Sequence, residues 1–245
     1  MVYLNQSFCK EAKQASAFAI FPCHITLREK FEIMETYMSG YAIKKEELYT
    51  WADYQNWPDA ERWEIINGEA YMMSPAPTTR HQAISRELSG AFFAFFKGHK
   101  CKLFSSPIDV KLSNEDIVQP DILVVCDDKQ IKETHIEGAP ALVVEIVSPS
   151  SAVHDRMRKM RLYAETGVKE YWIVTPFPSM VEIFLLDGKN YLMHKAFDRN
   201  QTLVSATFKK LKISLDEVLN FTLSSEEKKI YEVKEPPARY ASPRK

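Results

Sequence analysis

Apolar residues recur at Ile84, Leu88, Ala91, Phe92 and Phe95, a spacing that gathers them on one stripe and predicts an amphipathic helix over residues 79–97. The pattern then changes to short apolar runs at 101–112, 119–126 and 141–147, separated by Asn114-Glu115-Asp116 and Asp127-Asp128-Lys129, which predicts three strands with polar connections. A second helix is predicted over 151–166, after Ser148-Pro149-Ser150 and before Gly167, followed by a strand at 170–174. Asn67-Gly68 and Asp187-Gly188 each sit between apolar-rich runs, so hairpins are predicted at 63–66 with 69–73 and at 181–186 with 191–196. Residues 44–57 read as a helix bearing Leu48, Trp51, Ala52 and Tyr54 and stopped by Pro58; a strand at 203–206 and a short helix at 215–219 close the periodic region. The expected organisation is an N-terminal extension over 1–38, one domain over 39–222 and a loose tail over 223–245.

Two acids stand where buried strands normally admit none. Asp121 follows Pro120 and opens Ile122-Leu123-Val124-Val125, and Glu145 interrupts the run from Ala141 to Val147. An ionised carboxylate taken out of water must be paired, protonated or bound to a metal, so acids on successive strands point to a shared cation site and metal-dependent chemistry.

Composition narrows the class without changing that reading. With 245 residues, 45% of them hydrophobic, the chain can bury one sizeable core, and 32 Lys plus Arg against 33 Asp plus Glu give a net charge of -1. Such a chain has no global attraction to polyanions or anionic membranes, so a nucleic-acid contact needs a local patch. The best such patch is Arg156, Arg158, Lys159 and Arg161, although an exposed polar face is the slightly favoured reading of this run. Cys9, Cys23, Cys101 and Cys126 form no C-x-x-C pair, so neither a disulfide framework nor a zinc cluster is indicated, and a reducing cytoplasm is the expected compartment, with no membrane span. Phe92, Phe93, Phe95 and Phe96 are too dense for one helix face; their rings should cover a neighbouring element or a subunit interface, and a homodimer is the expectation.

The order helix, three strands, helix, strand, with Pro120-Asp121 and Glu145 on the second and third strands, resembles the PD-(D/E)XK nuclease superfamily. Val144-Glu145 with Ser148-Pro149-Ser150, the series Asp155, Lys159, Tyr163, and Gly167-Val168 with Glu170-Tyr171-Trp172 resemble more closely the Uma family of restriction endonucleases over residues 44–220. The resemblance implies an α/β (α+β) fold with a mixed central sheet flanked by helices, extra hairpins, and hydrolysis of phosphodiesters in DNA. It also implies magnesium, with manganese as the substitute, held by Asp121 and Glu145 and activating a water. The superfamily lysine two residues after the second acid is here Val147. The resemblance assigns its task to Lys159, which lies one helical step from Asp155 and Tyr163. Asp109 becomes a third ligand or a supporting acid, and His81 and Glu69 match family positions as supporting groups.

Plainer readings remain open beside these. Lys159 can pair with Asp155 on a solvated face, His81 can be a core or capping histidine, Glu69 a surface residue of the hairpin, and Tyr163 a packed ring. Val147 also supports a second reading of the whole chain, as a degenerate nuclease scaffold that binds nucleic acid or protein without cutting.

Overall fold

In the computed structural model the described residues are 43–44, 48–58, 62–73, 77–148, 151 and 154–221. The N-terminal extension and the tail therefore lie outside the described residues. The mixed α/β fold expected is present, and its strands form two six-stranded mixed sheets among the described residues. In the first, β1 (Ile43–Lys44), β3 (Glu69–Met72), β2 (Trp63–Ile66), β6 (Ile117–Val118), β5 (Asp109–Lys111) and β8 (His135–Glu137) lie in that order. In the second, the order is β12 (Asn190–Asp198), β11 (Met180–Asp187), β10 (Glu170–Thr175), β9 (Leu142–Ile146), β7 (Ile122–Val125) and β4 (Lys102–Ser105). Only β9 with β10 and β5 with β8 run parallel among the paired strands described. A small ribbon of β13 (Thr202–Val204) and β14 (Lys212–Ser214) leads to the short α4 (Leu215–Leu219).

One predicted strand proves to be two. The run 101–112 breaks after Ser105, and its halves β4 and β5 join different sheets; the run 119–126 holds β7 alone, with β6 just before it in the other sheet. Both changes of sheet hold a proline, Pro107 and Pro120, which supplies no N–H to a ladder. The predicted helix over 44–57 shrinks to α1 (Trp51–Tyr54), capped by Thr50 and Asp53, whereas Ile43 and Lys44 pair with β3. Both Asn-Gly and Asp-Gly hairpins form; Asn67 and Gly68 have φ of 52° and 75°, the pair of positive values that a two-residue turn of this hand requires.

Core residues fill both faces of the second sheet. On one face, α2 (Thr79–Phe96) lays Ile84, Leu88, Phe92 and Phe96 against Ile122, Val124, Val144 and Trp172. Phe95 and Phe96 turn toward Phe208 after β13, and Phe92 packs on Trp172; Phe93 alone of the four is largely exposed. On the other face, Leu123, Val143, Tyr171 and Ile173 meet Leu162 and Tyr163 of α3 (Met160–Thr166), together with Val110, Val118 and Tyr71 of the first sheet. Residues 154–159 preceding α3 wind as a π-helix, and Gly167 closes it in the left-handed conformation. Met157, within this turn, is 68% exposed.

The absence of a C-x-x-C pair was a poor guide to disulfides. Cys101 and Cys126 are bonded, because the antiparallel register Lys102↔Val125 brings the next residues out along β4 and β7 face to face. That adjacency is made by strand pairing across 25 positions of sequence and leaves no spacing motif. Among the described residues no helix is long and apolar enough to cross a membrane.

Candidate active site

The chain passes from the first sheet to the second at Gln119-Pro120-Asp121, and the acids gather around this crossing. The register Ile122↔Val144, continued by one residue, sets Asp121 opposite Glu145 at the edge of the apolar ladder. Asp121 Oδ2 accepts the Ile146 N–H at 2.8 Å and lies 3.1 Å from His81 Nε2. His81 is placed by the first turn of α2, where its N–H is capped by the Thr78 hydroxyl.

Glu145 is buried on β9, and its Oε1 accepts from Lys159 Nζ at 3.0 Å and from the Tyr163 hydroxyl at 2.8 Å. Lys159 Nζ is held still closer, 2.7 Å, by Oε1 of Glu64, and lies 3.7 Å from Asp155. Glu64 in turn accepts the Gln119 N–H at 2.9 Å and sits 3.2 Å from His154 Nε2. The π-helical turn and α3 thus deliver His154, Asp155, Lys159 and Tyr163 to one buried pocket of charge, and β2, β9 and the crossing supply the acids.

Charge within this group is unbalanced: Glu64, Glu145 and Asp155 surround one lysine, and Asp121 lies opposite Glu145. Burial raises the Glu145 carboxyl well above the ordinary range; Lys159 opposes that shift, while Asp155, Asp121 and Glu64 reinforce it. Burial also works against ionisation of Glu64, yet Lys159 and His154 bring it down to about 2. Burial disfavours the Lys159 ammonium, but Glu145 and Glu64 keep it charged to well above its usual value. Lys159 and Glu64 therefore form the firm ion pair, and burial pushes Glu145 toward its protonated form. Burial lowers and Asp121 raises the His81 value, with a net upward shift.

Glu64 and His154 were not foreseen. Glu64 carries the same signal as Asp121 and Glu145, an acid inside the apolar strand Trp63-Glu64-Ile65-Ile66, but the hairpin drew attention to Glu69 instead. Glu69 is exposed and accepts the Tyr71 hydroxyl at 2.5 Å. Asp109 is not brought to the acid cluster: its hydrogen bonds among the described residues come from Tyr54 and Gln119. The cationic run is dispersed, with Arg156 on Glu182 and Thr175, Arg158 over the Tyr71 ring, and Arg161 on Glu165. Val147 is buried in the apolar core, so no strand lysine could occupy its place without displacing that packing.

Tyr163 supplies a test of the cluster's rigidity. Tyr163→Phe is expected to lower stability by about 0.5–1.5 kcal/mol, the worth of a hydrogen bond to a carboxyl that burial pushes toward its neutral form, in urea unfolding near neutral pH. A loss of a few tenths would mean that the hydroxyl contact with Glu145 contributes nothing.

Hard-oxygen chemistry suits the open atoms of the site. Asp121 Oδ1 and Glu145 Oε2 take part in none of the hydrogen bonds among the described residues. Among those residues no three His, Cys, Asp or Glu side chains converge as a protein cage for a metal. Two carboxylates with waters and substrate phosphate completing the shell are the usual arrangement for magnesium, so this donor set fits that ion.

Comparison with known proteins gives this arrangement a setting. An uncharacterized Synechocystis protein, slr1290, is 30% identical over 144 residues, spanning 58% of this chain and 73% of its own. A crystal structure described as a "putative nuclease belonging to DUF820" from Anabaena variabilis superposes with a TM-score of 0.59, covering 70% of this chain and 97% of its own; at 18% identity this is a likeness of fold. Residues 51–216 match the family Uma2, described as "Putative restriction endonuclease", and the chain belongs to that family.

Proposed function

We propose that this protein is a magnesium-dependent endonuclease that hydrolyses phosphodiester bonds in DNA at the crossing between its two sheets. The observation that carries the reading is the convergence of Asp121 and Glu145 beside a buried lysine supplied from the following helix. Asp121 Oδ1 and Glu145 Oε2 would hold magnesium, with manganese as a substitute. When bound, the ion neutralises phosphate charge and lowers the pKa of an attacking water.

The chain's own groups do the rest. Burial pushes the Glu145 carboxyl toward its protonated form, so holding a cation would require loss of that proton and would couple metal binding to pH. Lys159 has three N–H donors, and two point to Glu64 and Glu145 within hydrogen-bonding distance. Its third is not taken up by a hydrogen bond to Asp155, which lies 3.7 Å away, and would serve a water or a phosphate oxygen drawn into the site. Glu64 fixes the ammonium from the other side, so Lys159 enters the reaction already oriented. His81 holds the Asp121 carboxylate in place through Oδ2, leaving Oδ1 turned to the ligand.

Cleavage of plasmid and single-stranded DNA with magnesium should be abolished by excess chelator and by Glu145→Gln. Magnesium affinity, followed by calorimetry, should rise with pH by up to about tenfold per unit while Glu145 retains its proton, and the Glu145→Gln variant should lack this dependence. Cutting that survives chelator or Glu145→Gln would refute the reading, and pH-independent affinity would refute the role given to the Glu145 proton.

A further inference from the structure

Beside the crossing, a cavity of about 540 Å³ opens between α1 and the ends of β2 and β5. Its lining includes Trp51, Tyr54, Trp57, Asp109, Gln119 and Arg62. The volume lies in the range of small-ligand sites and suits one base with part of its sugar. Tryptophan and tyrosine walls offer ring surface to any base, since every base has a π-face.

The polar groups of this cavity form one chain leading to the acid cluster. Arg62 donates through Nε and Nη2 to Gln119 Oε1 at 3.0 and 2.6 Å. Gln119 Nε2 donates to Asp109 Oδ1 at 2.8 Å, and Tyr54 donates to the same oxygen at 2.9 Å. Burial and the neighbouring Asp109 carboxylate keep the Tyr54 phenol protonated, so that it serves as donor. Asp109 Oδ2 accepts from no described residue, and Gln119 gives its own N–H to Glu64 two positions before Asp121. Asp109 thus lines the cavity with one carboxylate oxygen not used by Tyr54 or Gln119, close along the chain to the acids proposed to act on phosphate.

We propose that this cavity binds one unstacked base of a DNA strand, held by the aromatic walls and selected by Asp109 Oδ2, which accepts the exocyclic amino group of adenine, cytosine or guanine. Thymine is disfavoured, because carbonyls flank its one ring N–H and face the carboxylate. The inference rests on the nuclease reading for the nature of its ligand, and it turns that reading into a preference for amino-bearing bases next to the cut.

Binding in the presence of chelator separates the two. Fluorescein-labelled oligo-dA, oligo-dC and oligo-dT are titrated with the full chain, and anisotropy is read together with tryptophan emission. Oligo-dA and oligo-dC are expected to bind about tenfold tighter than oligo-dT, with quenching, and Asp109→Asn should bring that ratio close to one because its amide can also donate. Trp51→Ala should weaken all three by about tenfold, the effect of losing one stacking ring. Equal affinity for the three oligomers, a preference unchanged in Asp109→Asn, or no binding would overturn the proposal; should that variant fail to fold, the ratio in the unmodified chain decides. Cleavage of the same oligomers with magnesium is scored separately. Base preference without cutting leaves the cavity assignment standing and removes the nuclease reading, and cutting without base preference does the reverse.

Discussion

Lys159→Met is expected to lower unfolding stability by about 3–5 kcal/mol near neutral pH and to eliminate DNA cleavage, because it strands buried acids without their cation. Nζ sits between Glu64 at 2.7 Å and Glu145 at 3.0 Å, and both carboxylates are almost entirely removed from water. The size of the effect can be cross-checked from Glu64 alone. Its carboxyl falls from the ordinary 4.5 to about 2 in the fold, a linkage worth roughly 3 kcal/mol. Because the folded value is depressed, that stability is present above the unfolded value of 4.5 and is lost as pH falls toward 2. Without Lys159, burial acts on Glu64 with less opposition and its carboxyl resists ionisation, so the variant is penalised most where the unfolded chain ionises freely. The gap between the two proteins should therefore narrow as pH is lowered through the carboxylate range. Urea unfolding at neutral and mildly acidic pH measures it; a gap under about 1 kcal/mol, equal at both, would mean that Lys159 is a dispensable surface cation after all.

The strength of that expectation comes from a residue that sequence spacing could place but not evaluate. Asp155, Lys159 and Tyr163 are four apart, so any helix brings them to one side, and the structure does so even though the first turn is π-helical. What periodicity could not supply was the partner on the far side. Glu64 is 95 positions away and reaches Lys159 only because β2 pairs with β6 in one sheet while β7 and β9 pair in the other. Its signal was nevertheless present, since Glu64 lies inside an apolar strand as Asp121 and Glu145 do. The same rule, applied evenly along the chain, would have found all three acids.

It would also have found Glu170, which is buried yet belongs to no site. That carboxylate accepts Trp172 Nε1 at 2.7 Å, the Ser205 hydroxyl at 3.1 Å and the backbone N–H groups of Ala206 and Thr207. A buried acid satisfied by neutral donors fastens a loop; a group of buried acids crowding one lysine invites a second cation. The distinction depends on partners brought together by folding, and no local pattern records it. Asp109 illustrates the reverse case: it looked like a ligand because it occupies a strand near Asp121 in sequence, but the chain changes sheet between them and turns it toward Tyr54 and Gln119.

Asp121→Asn should lower DNA cleavage by about a thousandfold, the equivalent of several kcal/mol of transition-state charge stabilisation, with little change in thermal stability. The amide can still accept the Ile146 N–H, which now meets Oδ2 at 2.8 Å, so the crossing between sheets keeps its geometry. What disappears is the negative charge facing the proposed magnesium and facing His81. In the unmodified chain burial lowers the His81 value and Asp121 more than offsets it, so the folded value lies above the unfolded 6.5. Stability from that pair is fully present below the unfolded value and is lost as pH rises through the folded one. Removing the Asp121 charge leaves burial dominant, and the His81 titration followed by NMR should move to lower pH. The two readouts separate the roles of the carboxylate: a shifted histidine with cleavage retained within about tenfold would make Asp121 a partner of His81 and not a metal ligand. A thousandfold loss with the histidine shifted and the fold intact is the result expected if one oxygen of Asp121 orders the site and the other binds the ion.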